Sequence, residues 1–492
     1  MVIMTDMKTI EQIAKRRGFV YPSSEIYGGL SGFYDFGHLG TKMKNKIENF
    51  WREFFMSSDN IIEISSRTIV PEAVWDASGH LESFVDPIVQ CKKCKSMIRA
   101  DTFIEEQTGR FVEGLDTKEL TEIIKEEKLK CPKCKGDLGN VKIFNLMLKT
   151  SVGPVEGNMA YLRPETAQGI FTNFSFIARS ARAKLPFGIA QMGISYRNEI
   201  SPRQWIIRLR EFNQMEIEMF INPKKIGECS NFSEIAKEKL RILTREAQKK
   251  DGETTEITAE DSVKKGIVPN KWMAYFLAKE MQWYQKIGIP FESLRHRHML
   301  PEETPHYSKG NFDLEIKFDF GWKETVGNAY RTDHDLSSHA KKSGKDMSII
   351  DDNEKVVPHV VEPSFGIERT FYGILLHCFV KDKKRGWDWF KFPAKIAPYT
   401  VTVFPLVNKG GLDDKAKEIY EDLKKKFDVF YDDSGSIGRR YARADEIGTS
   451  FAITIDYDTM KDDTVTIRYR DTAKQERVKI KDLKDFISNK IG

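Results

Sequence analysis

The residue types best suited to chemistry lie in one stretch, Gln191 to Phe220, reading QMGISYRNEISPRQWIIRLREFNQMEIEMF. A short apolar run ends in Tyr196-Arg197-Asn198-Glu199, and Ser201, Pro202 and Arg203 mark a reversal, so the spacing predicts an antiparallel strand pair. On the return strand Met215, Ile217 and Met219 alternate with Gln214, Glu216 and Glu218, and Phe212 shares the parity of the acidic set. Arg197 and Glu199, two residues apart, should project from one side of the first strand into the same space. An ordinary hairpin with a solvated face alternates in the same way. Apolar company on both strands instead implies burial, and buried charges of both signs aimed at one space imply a charged ligand.

The cysteines suggest a second chemistry. Four of six form the pairs Cys91-Lys-Lys-Cys94 and Cys131-Pro-Lys-Cys134. Each pair puts two thiols on a tight knuckle, half of a tetrahedral site, which predicts structural Zn2+ on Cys91, Cys94, Cys131 and Cys134, with reduced unligated thiols as the alternative. Cys229 and Cys378 stand alone and read as small buried residues.

Three further constellations carry charge. Arg163-Pro-Glu165-Thr166-Ala-Gln168-Gly169 reads as a helix opening at a proline, with Glu165 in the first turn where a carboxylate complements the helix dipole. Leu294-Arg295-His296-Arg297-His298, followed by Glu302, Glu303 and His306, matches no standard metal spacing and reads as loop contacts. The run FDLEIKFDFGWKE reads as a strand delivering Glu324 and Thr325 to a turn before Gly327, with Glu324 a candidate for holding Mg2+ beside phosphates. In VVEPSFGIER a strand runs through Glu362 to Pro363, Gly366 relieves crowding, and a helix start offers backbone donors to an anion, with Arg369 in its first turn or so.

Stepping outward, the elements that must position these groups are those of a large folded protein. The chain has 492 residues, 40% hydrophobic and 31% charged, with a net charge of +5, which suits about three domains and neither demands nor excludes a nucleic-acid partner. No run reaches membrane-span length and the first residues lack a secretory pattern, so a cytoplasmic enzyme with no membrane association is expected. A helix over 6–17 precedes the segment GGLSGFYDFGHLG, whose glycines argue against regular structure. A helix from Thr41 to about Met56 then presents Met43, Ile47, Phe50, Trp51, Phe54 and Phe55 on one face, and the strand IIEISSRTIV stops at Pro71. Val141 to Lys149 reads as another strand. The expected division is 1–80, a Cys-containing insertion at 81–140, a core at 141–394 with a Lys- and Glu-rich helical insertion at about 223–290, and a C-terminal unit at 395–492 that alternates strands and helices.

Taken together, the helix, strand and Pro71, the hairpin with Arg197 and Phe212, and the Gly366 to Arg369 turn resemble motifs one, two and three of class II aminoacyl-tRNA synthetases. SSEIYGGLSGFYDFG, RPETAQGIF, YRNEISPRQ, REFNQMEIE, RTDHDL and EPSFGIER resemble the homodimeric glycyl-tRNA synthetases. These runs cover nearly the whole chain. His38 in DFGHLG stands where many members have proline. The resemblance implies an α/β (α+β) protein: an antiparallel-sheet catalytic domain with insertions, motif one at a homodimer interface, and a C-terminal α/β anticodon-binding domain. The nearly balanced charge of 395–492 would not by itself have suggested RNA binding.

The implied activity is ATP-dependent formation of glycyl-adenylate and transfer of glycine to the 3′ end of tRNA(Gly). Another small amino acid, or a synthetase-like nucleic-acid-binding protein without chemistry, are the alternatives, and the presence of Arg197 and Arg369 speaks against the second. By likeness, Arg197, Glu199 and Arg369 are catalytic. ATP with Mg2+ is implied to meet Arg197, Asn198, Glu199, Ile207, Arg208, Leu209, Arg210, Glu211 and Phe212, then Glu324 and Thr325, then Gly366, Ile367, Glu368 and Arg369. Glycine is implied to meet Glu165, Phe212, Asn213, Gln214, Met215 and Glu216, then Glu362, Pro363, Ser364, Phe365 and Gly366, with Arg99 and Arg297 near its carboxylate or the tRNA end. Because glycine has no side chain to grip, the pocket must bind its ammonium and leave no room for a Cβ.

Overall fold

The computed structural model describes residues 6–491 except 58–59, 111, 113, 155–156, 203, 251 and 305–307. Arg203 and His306 therefore lie outside the described residues. Helix α1 (Met7–Arg17) is capped by Asp6, whose Oδ1 accepts from the Thr9 N–H at 3.0 Å, and is stopped by Gly18 at φ 74°. Helix α2 (His38–Trp51) begins three residues before the expected Thr41. The reason is that glycines here permit contact: a Cβ on Gly40 would stand 1.9 Å from the Phe19 carbonyl oxygen, so the first turn packs directly on backbone. The remaining residues to Met56 continue as a wider π turn.

Nine strands build the central sheet. They are β1 (Ile61–Ile64), β2 (Phe187–Tyr196), β3 (Glu211–Ile221), β4 (Lys239–Leu243), β5 (Thr255–Thr258), β6 (Leu294–His298), β7 (Asn311–Phe318), β8 (Gly321–Thr332) and β9 (His359–Gly366). Their order is β5-β4-β6-β7-β8-β9-β3-β2-β1, and every pairing is antiparallel except β1 with β2 and β4 with β6. Helices α3 (Lys271–Lys286) and α4 (Ile367–Cys378) and the aromatic side of α2 cover one face, where Phe365 meets Trp51, Phe55, Trp283 and Tyr284. A large apolar core on this face leaves the opposite face of β3, β8 and β9 for polar work.

Several elements differ from expectation, each for a local reason. IIEISSRTIV is two strands: Ile61–Ile64 joins the main sheet, whereas Ile69–Pro71 pairs with Met159–Leu162 in a separate sheet. The break falls at Ser66, whose N–H is taken by the Gln191 side chain at 3.0 Å. Val141 to Lys149 is likewise split, because the Asn145 side chain accepts from the Met147 N–H and turns the chain. FDLEIKFDFGWKE is a hairpin reversing near Gly321, at φ 111°, so Glu324 and Thr325 lie within β8 and not in a turn. Residues 223–290 are not purely helical: β4 and β5 extend the main sheet, and α3 is buried in its core. The helix after Pro164 spans Ala167–Phe171, so Glu165 precedes it and does not cap its first turn.

Two smaller bodies complete the chain. Val85–Cys91 pairs with Met97–Arg99 and Leu138–Asn145, and the helices Ala100–Thr108 and Thr117–Glu126 close a separate core around Val89, Phe103 and Leu120. At the C-terminal end a five-stranded sheet, Val401–Pro405 at its parallel side and Gln475–Lys479 at its antiparallel edge, has its own core of Val401, Ile453, Ile467 and Leu483. Helix α5 (Ile437–Glu446) flanks that sheet.

Candidate active site

The hairpin of β2 and β3 and the strand β9 beside it supply a cavity of about 280 Å³ on the polar face. The alternation read from the sequence sorts the side chains: Gln214, Glu216, Ser364 and Gly366 face the cavity, while Met215, Phe365 and Ile367 point into the apolar core. Met215 and Phe365 thus stand on the wrong face of the sheet to touch a ligand, and Ile367, the first residue of α4, points into the same core. Register places Glu216 opposite Ser364 and Ser364 opposite Gly327, three residues side by side on adjacent strands.

Around Glu216 the polar groups are closely matched. Its Oε1 accepts from Ser364 Oγ at 2.6 Å and Gln214 Nε2 at 3.2 Å, and its Oε2 accepts from the Thr166 N–H at 3.0 Å and from the Thr166 hydroxyl. Burial, then the charge of Glu165, raises its pKa above the ordinary carboxylate value. Glu165 has the opposite balance: burial opposes its charge, but His80 at 3.4 Å and Arg331 overcome it and hold the pKa low. Arg331, almost fully buried, grips Asp335 with two nitrogens (2.7 and 2.8 Å) and donates to Glu362 at 2.7 Å. Even so, burial pushes Glu362 up to about 8. Glu218 lies deeper still; among the described residues neither of its oxygens has a hydrogen-bond partner, and burial, then Glu362, raises it well above the usual range. The wall formed by Glu165, Glu216 and Glu362 is therefore short of positive charge, a setting that suits a small ammonium.

A second group of side chains sets arginines beside an aromatic ring. Arg197 lies between two rings, 5.3 Å from each of Phe84 and Phe212, and donates Nε to the Pro164 carbonyl. Strand β2 ends at Tyr196, and Glu199 shares the cavity with Arg197 through a turn, not through strand parity. Arg369 donates Nε to the Ile207 carbonyl at 3.0 Å and Nη1 to Glu324, at 2.7 Å to its carbonyl and 3.1 Å to its carboxylate. Arg208 approaches Glu199 to 3.7 Å, and Leu209 and Thr325 complete this part of the lining. Glu368, buried, accepts from the backbone and side-chain nitrogens of Asn213, and burial lifts it to about 7.

Other expected residues stand elsewhere. Arg99 pairs with Asp86 and Asp101 on the insertion, and Arg297 with Glu303, so neither lines the cavity. Asn198, Arg210 and Glu211 also lie outside the lining, Arg210 being spent on the carbonyls of Glu199 and Ser31. Pro363 is buried beside Asn328 on β8. The sequence reading missed His80 and Asp313. Nothing near His80 in sequence signals a role; Asp313, which lines the cavity, could have been found from the alternation in FDLEIKF.

The four thiols of the insertion do converge. Their sulfurs lie within 4.8 Å of one another, Cys91 to Cys134 at 3.5 Å and Cys94 to Cys131 at 3.7 Å. A tetrahedron of ~2.3 Å Zn–S bonds has edges of about 3.8 Å, so the donor set suits Zn2+.

Comparison with known proteins bears on this geometry. Residues 154–377 match the tRNA synthetase class II core domain (G, H, P, S and T), and residues 400–490 match an anticodon binding domain. Glycine--tRNA ligase of Pyrococcus abyssi is 44% identical over 96% of both chains. The chain belongs to the glycine--tRNA ligase family. The enzymes of that name from Methanothermobacter thermautotrophicus (41% identical, 96% of each chain) and Aeropyrum pernix (42%, covering 95% of this chain and 94% of the relative) are similar throughout. For a class II synthetase, the antiparallel sheet and the cavity bounded by β3, β8 and β9 are the expected catalytic platform, and the C-terminal sheet is the expected anticodon-binding unit.

Proposed function

We propose that this cavity joins glycine to ATP and then to tRNA(Gly). The observation that carries the reading is that the carboxylate-lined pocket at Glu216 and Ser364 opens into the same cavity as Arg197, Phe212 and Arg369. A glycine carboxylate oxygen attacks the α-phosphorus as the bond to the leaving pyrophosphate breaks, giving glycyl-adenylate. The terminal ribose 3′-hydroxyl of tRNA then attacks the acyl carbon, its proton is lost and AMP departs. Arg197 binds the α-phosphate and offsets the charge that develops on it. Phe212 stacks one face of adenine and Arg369 covers the other. Glu165, Glu216 and Ser364 accept from the glycine ammonium. Glu324, half-exposed and paired in register with Glu315 on β7, would hold Mg2+, which neutralises phosphate charge when bound; Asp313 lines the same cavity.

Four converging thiols favour a structural Zn2+ on Cys91, Cys94, Cys131 and Cys134. Ile26, Tyr27 and Leu30, exposed by 88%, 88% and 72% just before α2, are what a homodimer interface would cover. In support of the division into 1–80, 81–140, 141–394 and 395–492, the insertion and the C-terminal sheet each have an apolar core of their own, while 1–80 and 141–394 share one. Among the described residues no helix is long and apolar enough to cross a membrane, and we assign the protein to the cytoplasm, where tRNA is charged for translation.

Amino-acid-dependent ATP–pyrophosphate exchange tests the central reading. Glycine should support exchange, and alanine and serine should not. Exchange with alanine or serine would overturn the pocket assignment, and none with any amino acid would overturn the activity.

A further inference from the structure

The loop joining β2 to β3 contains a feature that the chemistry above does not use. Gln204 and Trp205 are consecutive non-glycine residues with left-handed backbone, at φ 60° and 54°. Bulky side chains rarely adopt that conformation. The indole that follows from it is 94% buried, being 6% exposed, and its Nε1 has no hydrogen-bond partner among the described residues. Such an arrangement opposes itself twice, by backbone conformation and by an orphaned donor, so the contacts made by the ring must outweigh both.

Those contacts lead to the nucleotide side of the cavity. The indole stands edge-on to Tyr372 of α4, with ring centroids 5.1 Å apart. Tyr372 is itself fully buried, stacked at 4.9 Å on Phe318 from the end of β7, and its hydroxyl donates to Asp319. The ring is therefore seated on a rigid post built from α4 and the β7–β8 hairpin. The two residues after it, Ile206 and Ile207, line the cavity, and the Ile207 carbonyl is the acceptor for Arg369 Nε. Because Ile207 N–H returns to the Gln204 carbonyl at 3.1 Å, the turn is closed on itself and moves as a unit with Trp205.

We propose that Trp205 is a positioning residue for ATP: by docking on Tyr372 it fixes the Ile206–Ile207 wall and, through the Ile207 carbonyl, the orientation of Arg369. This rests on the ATP site being where Arg197, Phe212 and Arg369 converge. An indole serving only the core would not need to sit on a left-handed backbone two residues from the acceptor of a ligand-facing arginine.

Replacement of the ring separates anchor from backbone. Trp205→Phe keeps an aromatic edge and deletes the orphaned N–H; Trp205→Gly relieves the backbone and deletes the anchor; Trp205→Leu keeps apolar volume should the glycine variant fold poorly. Kinetic constants for exchange would be measured beside ATP affinity by calorimetry and thermal unfolding. The expected result is a rise of about tenfold or more in KM and Kd for ATP in the glycine and leucine variants, with KM for glycine changed less than about twofold and Trp205→Phe close to the parent. ATP affinity unchanged in a folded Trp205→Gly or Trp205→Leu protein would overturn the proposal, as would a parallel loss of glycine and ATP affinity. Failure of the parent protein to exchange would instead strike at the ATP-site reading itself.

Discussion

Ser364 on β9 and Glu216 on β3 lie opposite each other across adjacent strands, with Ser364 Oγ donating to Glu216 Oε1 at 2.6 Å. The pair makes one polar surface from two distant segments of chain, and Thr166 closes its far side. Four donors already fill the accepting positions of the Glu216 carboxylate, so a small ammonium would be held by its charge and by taking the place of the longest contact, Gln214 Nε2 at 3.2 Å.

Glu216→Gln should lower kcat/KM for glycine by about two to three orders of magnitude, a loss of about 3–4 kcal/mol typical of removing a charged partner in a buried site. ATP affinity should hold within about twofold. Steady-state exchange with each substrate varied in turn would check both parts, and normal glycine kinetics would remove Glu216 from the pocket.

Gly327 borders the same pocket, and a Cβ built there meets nothing nearer than Glu324 Oε1 at 3.5 Å. Gly327→Ala should therefore fold with little loss of melting temperature yet fill space that glycine needs. Glycine kcat/KM is expected to fall at least about tenfold, the scale of one misplaced methyl group. A folded variant with unimpaired glycine activation would show that the substrate lies elsewhere.

Glu368 gives a pH signature. Its native pKa of about 7 stands above the ordinary 4.5, so between those values the native state holds a proton that the unfolded chain has lost. Stability from this group is thus complete below about pH 4.5 and is lost as pH rises through 7, by about 3 kcal/mol in all. Denaturant midpoints measured from pH 5 to 8 should show this decline in the parent and a flatter profile in Glu368→Gln.

Purified protein should carry about one Zn2+ per chain, as four converging thiolates imply. Removing it, or making Cys131→Ser, should expose the insertion between Val85 and Asn145 to limited proteolysis while the central sheet resists. Elemental analysis with mapping of the cleavage sites would decide it; metal-free protein with an intact, protected insertion would exclude a structural role.

Much of the site was legible because short-range pattern encodes it. The alternation from Gln214 to Met219 assigned each side chain to a face of β3, and the knuckle spacing brought the four cysteines together. Reading failed where the folded backbone decided which partner a charge would meet. Glu165 looked like a helix cap, but Gln168, His80 and Arg331 draw it into the carboxylate wall. Glu324 was expected in a turn, yet the hairpin reverses before Gly321 and leaves Glu324 inside β8. Arg297 has the right charge for a substrate carboxylate, but Glu303, ahead of it by only six positions, takes it first.

The amino-acid sequence by itself determined the family motifs, the identities of the charged groups and the parity that separates core from cavity, because strand alternation is a property of neighbouring residues. Tertiary structure decided which charges remain available. Ion pairing and burial depend on groups from separate elements, so Arg331 could be matched to Glu362, Arg369 to the Ile207 carbonyl, and Trp205 to Tyr372 only once the sheet had brought them into contact.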